Sequence, residues 1–264
     1  MQIAHINGAN IHYCQSTVID KPVIVFVNSL GSDFRLWDNV VDILKDDFHI
    51  IRYDKRGHGL SDIGNVPYSI ELLADDLAAL LEYLTIDKAI ICGISVGGMI
   101  GQYLAASKPE LVNALVLCNT APKIGNEEFW QQRLEAIDKN GLLAISDSIL
   151  LRWFSAQFKA SKLHQLEGWR NMLSRTTKEG YMATSVAIKN ANLHDKTKTI
   201  IQPTLCIGGD EDLSTPADLV EEMSRLIKGS HFKVIKNAGH LPCIEQPDIL
   251  ADHMIKFFKE NNLV

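Results

Sequence analysis

The stretch CGISVGG, residues 92 to 98, carries the most information in this chain. It follows the apolar, β-branched run Ala89-Ile90-Ile91 and precedes MIGQYLAASKPE, which has helical spacing and stops at Lys108 before Pro109. A Gly-x-Ser-x-Gly pattern by itself is weak. Between a strand and a helix it acquires a physical reason. The turn must be so tight that side chains two positions either side of the serine would clash, and Gly93 and Gly97 remove that clash. Ser95 then stands at the carboxyl edge of a sheet, facing the free N–H groups and positive dipole end of the following helix.

Working outward, the same alternation recurs. Val23 to Val27 and Phe48 to Tyr53 are apolar runs of strand length, as is Leu115 to Cys118. Ser69 is placed to cap a helix with apolar positions Ile70, Leu73, Leu77, Leu80, Leu81 and Leu84. Strand and helix in turn imply a mostly parallel sheet flanked by helices. The rhythm breaks over residues 122–194, which show helical spacing and hold three of the four Trp (130, 153 and 169). It resumes with Thr204 to Ile207, a helix near Ala217 to Ile227, Phe232 to Ile235, and a helix near Pro247 to Glu260. The expected organisation is an α/β core of residues 1–121 and 195–264, with a helical cap, 122–194, inserted after the strand ending near Asn119.

A serine hydroxyl needs a base. In this architecture its partners follow in the order acid, then histidine. The loop after Thr204 to Ile207 reads GGDEDLSTP and offers Asp210, Glu211 and Asp212. Asp212 is preferred because it lies further into the loop, just before Thr215-Pro216; Asp210 is the alternative. Of nine His, His240 in NAGHLP is the one in a loop directly after the last strand. His240 would take the Ser95 proton, and Asp212 would hold its tautomer. Two N–H donors must face a tetrahedral oxyanion. Val96 after the serine and Leu30 in NSLGSD supply them.

Composition bounds the partners. The chain has 264 residues, 46% hydrophobic and 22% charged, with net charge −6. That argues against nucleic acid or an anionic membrane surface, which need a basic face. No run approaches a membrane span and the N-terminus lacks a basic, then apolar, leader, so a cytoplasmic protein is expected. The five scattered Cys (14, 92, 118, 206 and 243) read as buried free thiols. No metal or cofactor is signalled.

RYDKRGHGLSD (52 to 62), GISVGG, GGDEDLSTP and NAGHLPCIEQP resemble loops of the α/β-hydrolase superfamily. One departure is Asn28-Ser29, where many members have His-Gly; the backbone role of Leu30 can survive it. NSLGSDFRLWD (28 to 38), LCNTAPKIGNEEFW (117 to 130), RWFSAQF (152 to 158) and RNMLSRTTKEGYMATSVAIKNANL (170 to 193) resemble, more narrowly, the 3-oxoadipate enol-lactone hydrolases of the β-ketoadipate pathway. That resemblance implies an α/β-hydrolase fold and ring opening of a small carboxylated lactone through an acyl-serine intermediate, without metal or cofactor. The substrate carboxylate needs a cationic or N–H partner. Arg133 and Trp130, and Trp153 beside Arg152, are the candidates, and Asn28 and Ser29 are expected to line the pocket with them. A carboxylesterase, a perhydrolase-like enzyme or a carbon–carbon bond hydrolase would share the triad, and a receptor on this fold would bind without turnover.

Overall fold

The computed structural model describes residues 1–18 and 20–264. Eight strands make one sheet: β1 (Gln2–Ile6), β2 (Ala9–Gln15), β3 (Val23–Val27), β4 (His49–Tyr53), β5 (Ala89–Ile94), β6 (Val112–Cys118), β7 (Thr204–Gly209) and β8 (His231–Ile235), in the order β1-β2-β4-β3-β5-β6-β7-β8. From β4 across to β8 all neighbours are parallel. β1 and β2 pair antiparallel, and β2 runs antiparallel to β4. All six residues of β5 are buried, because the centre of the sheet is covered on both faces. Burying a side chain such as Ile90 or Ile91 stabilises the fold by about 1.5–3 kcal/mol.

The helices are α1 (Asp38–Leu44), α2 (Ile70–Tyr83), α3 (Val96–Ser107), α4 (Glu127–Trp153), α5 (Ala156–Ser161), α6 (Leu163–Ser174), α7 (Lys178–Asn190), α8 (His194–Thr197), α9 (Ala217–Leu226), α10 (Pro242–Glu245) and α11 (Pro247–Glu260). Ser69 caps α2, its hydroxyl accepting the Leu72 N–H at 3.1 Å. α2 packs on α3, and α1 on α11. Between β6 and β7 the chain runs through α4 to α8 without a strand; the part from α4 to α7 is called the cap below. None of the helices among the described residues is long and apolar enough to cross a membrane.

Two features of the sheet come from the structure alone, and the reading of the five thiols needs one correction. The hairpin β1–β2 was not legible as a pair of strands, because its residues QIAHI and ANIHYCQ mix polar and apolar types without a long apolar run. It forms the antiparallel edge of the mostly parallel sheet. β8 is an edge strand with only Ile235 buried. Four of the five free thiols are buried; Cys14, on β2, is half-buried.

Candidate active site

Ser95 sits between β5 and α3 with φ 58° and ψ −122°, a conformation that L-residues rarely adopt. Such strain costs on the order of 1–3 kcal/mol and persists only where the surroundings enforce it. Here they do. A Cβ on Gly93 would come within 2.3 Å of the Gly97 carbonyl oxygen, and one on Gly97 within 2.2 Å of the Val27 carbonyl oxygen. Backbone on backbone cannot yield, so both positions exclude any side chain. The Ser95 N–H donates to the Cys118 carbonyl at 3.0 Å, and the Thr120 hydroxyl donates to the Ser95 carbonyl at 2.7 Å. The end of β6 thus grips the elbow from behind.

The loops after β7 and β8 bring Asp212 and His240 together. His240 Nδ1 lies 2.8 Å from Asp212 Oδ2, and both side chains are buried. Asp212 also accepts from Asn119 Nδ2 at 2.7 Å, the Thr215 hydroxyl at 2.7 Å and the Ser214 N–H at 2.6 Å. Burial alone would raise the Asp212 carboxyl. The facing His240 and the hydrogen bonds from His240, Asn119 and Thr215 outweigh it and hold the carboxyl below its ordinary range. Asp210 lies instead beside Lys236, at 3.5 Å. His240 N–H donates to the Trp153 carbonyl at 2.8 Å, so the cap itself fixes this loop. With Nδ1 committed to Asp212, the nitrogen left for a proton transfer is Nε2.

Ser95 and His240 line one cavity of about 240 Å³ together with Ser29, Leu30, Trp130, Arg133, Arg152 and Trp153. Ser95 Oγ and His240 Nε2 do not hydrogen bond to each other; such bonds often tighten only when substrate is bound. Val96 is the first residue of α3, so its N–H has no partner within the helix. The Leu30 side of the cavity comes from the loop after β3. Asn28 is not in the lining: its Nδ2 donates to the Tyr53 carbonyl at 3.0 Å and ties the ends of β3 and β4.

Trp130, Arg133, Arg152 and Trp153 of this lining belong to α4. This helix is broken at Gly141, whose φ 76° and ψ 171° lie in a region essentially reserved for glycine. Arg133 and Arg152 would stand about 28 Å apart along a straight helix. The break folds the two halves together, and the guanidinium carbons lie 4.7 and 5.1 Å from the centre of the same Phe129 ring. The arginine ion pairs among the described residues belong to Arg35, Arg52, Arg56, Arg170 and Arg225. Arg133 and Arg152 have none. Burial, then the neighbouring Arg133, lowers the Arg152 pKa, with Asp212 acting against them. Two unpaired guanidinium groups on one cavity wall suit an anion. The Trp130 indole N–H donates to the Ile124 carbonyl at 2.7 Å, which leaves its ring for the cavity.

Sequence reasoning missed several members of this site. Asn119 and Thr215 complete the Asp212 environment, and Tyr181 and Ile188 reach the cavity from α7. Asn119 has φ 45° at the end of β6; an asparagine directly after a buried strand was the available signal.

A family model described as alpha/beta hydrolase fold matches residues 22–145. 3-Oxoadipate enol-lactonase 2 of Acinetobacter baylyi is 34% identical over 237 residues, 90% of this chain and 88% of that protein. 3-Oxoadipate enol-lactonase 1 of the same organism is 36% identical over 229 residues, 87% and 85% of the two chains. The crystal structure of the enol-lactonase from Burkholderia xenovorans superposes with a TM-score of 0.95 at 34% identity, covering 98% of this chain and 100% of that one. The chain belongs to the α/β-hydrolase family and is similar over nearly its whole length to 3-oxoadipate enol-lactonases.

Proposed function

We propose that this protein hydrolyses 3-oxoadipate enol-lactone to 3-oxoadipate by a serine mechanism, within a cap-and-core organisation of residues 122–194 over 1–121 and 195–264. The observation that carries the reading is a single cavity lined by Ser95 and His240 together with Arg133 and Arg152, neither of which is in an ion pair among the described residues. The similarity to enol-lactonases supports it.

In the proposed reaction the arginines hold the substrate carboxylate and present the lactone carbonyl to Ser95. His240 Nε2 takes the Ser95 proton as Oγ bonds to the carbonyl carbon. The Leu30 and Val96 N–H groups receive the negative oxygen, and Asp212 stabilises the imidazolium. Collapse breaks the ring C–O bond. The leaving oxygen departs as an enolate, takes the proton from His240, and the enol becomes a ketone. Water, deprotonated by His240, then attacks the acyl-serine carbonyl. Ser95 Oγ leaves with the proton returned by His240. Because ring opening keeps both ends on one molecule, the opened chain stays bound to Ser95 through its acyl carbon until this second step releases it whole. The reaction needs a small molecule and a molecule of water, and no cofactor, nucleic acid or membrane partner. A cytoplasmic setting fits this chemistry.

The test is loss of enol-lactone absorbance with purified protein, the lactone being made in situ, beside a neutral aryl ester. Turnover at kcat/KM of about 10⁴ M⁻¹s⁻¹ or more, with poor ester hydrolysis, is expected. Arg133→Met and Arg152→Met should each raise KM for the lactone far more than for the ester. Fast ester and slow lactone turnover would leave a carboxylesterase; equal effects of the arginine variants on both substrates would remove their role as carboxylate readers.

A further inference from the structure

Lys55, in RYDKRGHGLSD, is fully buried, yet among the described residues it is in no ion pair. Its Nζ donates to one group, the Ser29 carbonyl, at 2.6 Å. Burying a lysine is costly. Burial pulls its pKa down to about 7, with the carboxylates of Asp54 and Asp33 acting in the other direction. A side chain kept at that cost, with one partner, raises the question of what the partner does.

The Ser29 carbonyl and the Leu30 N–H are the two ends of one peptide unit. In a trans peptide they point in opposite directions. A carbonyl pinned inward to Lys55 therefore turns the Leu30 N–H outward, toward the cavity that Leu30 lines. The Ser32 hydroxyl donates to the same carbonyl at 2.9 Å. The next peptide is held too. The Gly31 N–H donates to His58 Nε2 at 3.0 Å, while His58 Nδ1 faces the Arg56 carbonyl at 3.2 Å. This arrangement requires a neutral imidazole protonated on Nδ1. Burial, then the neighbouring Lys55, lowers the His58 pKa and keeps it neutral.

The support of this loop is itself anchored. Arg56 makes a buried two-point contact with Asp76 of α2, Nε to Oδ2 and Nη2 to Oδ1, both 2.6 Å. Asp54 accepts from the Phe34 N–H at 2.9 Å, on the far side of the donor loop. Residues 54 to 58 thus form a rigid bracket behind residues 29 to 34. Donation to a carbonyl also strengthens the N–H at the other end of the peptide, by about 10–30% for one hydrogen bond.

We propose that Lys55 is a positioning residue for the oxyanion: through the Ser29 carbonyl it aims and strengthens the Leu30 N–H. The inference rests on the serine-hydrolase reading above. It makes no contact between Lys55 and substrate, so the effect must fall on the transition state rather than on substrate binding.

Lys55→Met removes the donor and the charge while filling the stem's volume. The assays are kcat and KM for enol-lactone and for a neutral aryl ester, and Ki for an aryl boronic acid, which forms a tetrahedral adduct with an active serine. A thermal melt reports folding. The expected result is a folded protein whose kcat falls about tenfold or more on both substrates, with KM changed little. The boronate should weaken by a similar factor. A folded Lys55→Met protein with kcat and Ki within about twofold of wild type would overturn the inference, as would a loss confined to KM. Should this variant fail to fold, Lys55→Ala is judged by the same criteria. Wild-type protein that turns over neither substrate and ignores the boronate would instead remove the hydrolase reading, and this inference with it.

Discussion

Two Asp–His pairs lie buried in this molecule with the same Nδ1···Oδ2 separation of 2.8 Å: Asp212 with His240, and Asp54 with His12. In each, backbone N–H groups also donate to the carboxylate, from Ser214 and Thr215 in the first and from Phe34 and Leu60 in the second; Asp212 takes the Asn119 amide and the Thr215 hydroxyl besides. What differs is the space beyond the imidazole. His240 opens onto the cavity that also holds Ser95. His12 lies mid-strand in β2, its ring stacked on Phe34 at 4.9 Å, and its cavity lining includes no serine or cysteine. The same hydrogen-bonded pair is therefore a brace in one place and, in the proposed reaction, a base in the other. The pair supplies a fixed tautomer. The neighbour of the free nitrogen determines what that tautomer can do.

The sharpest way to break this comparison is to change the two pairs in turn. Asp212→Asn should lower kcat on the enol-lactone by about 10⁴-fold, because the wrong tautomer of His240 would then face Ser95. Steady-state kinetics on the purified variant checks this, and a loss below tenfold would make Asp212 a brace like Asp54. His12→Phe keeps the stacked ring and removes the bond to Asp54. It should cost about 1–3 kcal/mol of stability in a denaturant melt, with kcat left in the wild-type range. A kcat loss comparable to that of Asp212→Asn would erase the distinction.

A smaller effect sharpens the contrast. The folded Asp212 carboxyl titrates below its ordinary value of 3.8, so below that pH the unfolded chain binds the proton first. Its contribution to stability is complete above about pH 4 to 5 and is lost as pH falls through the folded value. Melts at roughly pH 5 and pH 3 should show a steeper acid loss for wild type than for Asp212→Asn. Parallel losses would show that the carboxylate is not held ionised by its partners.

The degree to which the chain could be read follows from range. The parallel core was legible because each of its strands is a short, largely apolar run next to a segment of helical period with a local start or stop signal, such as Ser69 before α2 or Pro247 at the head of α11. The last helix matches its expected bounds, Pro247–Glu260, for that reason. The β1–β2 hairpin was not, since its register is set by pairing to β4 and its strands mix His, Asn and Gln with apolar residues. The glycine pattern around Ser95 foretold a tight elbow, and a Cβ at Gly93 or Gly97 would indeed strike backbone. Asn28 failed as a cavity residue because neighbours in a loop can face opposite ways: Ser29 lines the cavity, while the Asn28 side chain turns back to Tyr53.

By itself, the order of apolar runs, caps and glycines determined the α/β layering, the helical stretch after β6 and the strained turn at Ser95, since these depend on residues within a few positions of each other. Only the tertiary structure decided that Asp212 rather than Asp210 faces His240, that the break at Gly141 brings Arg133 and Arg152 to one ring, and that Lys55 ends at the Ser29 carbonyl. Those are meetings between groups 19 or more positions apart, or choices of which way a loop residue points. Packing of the whole core against the cap fixes them, and no local pattern encodes them.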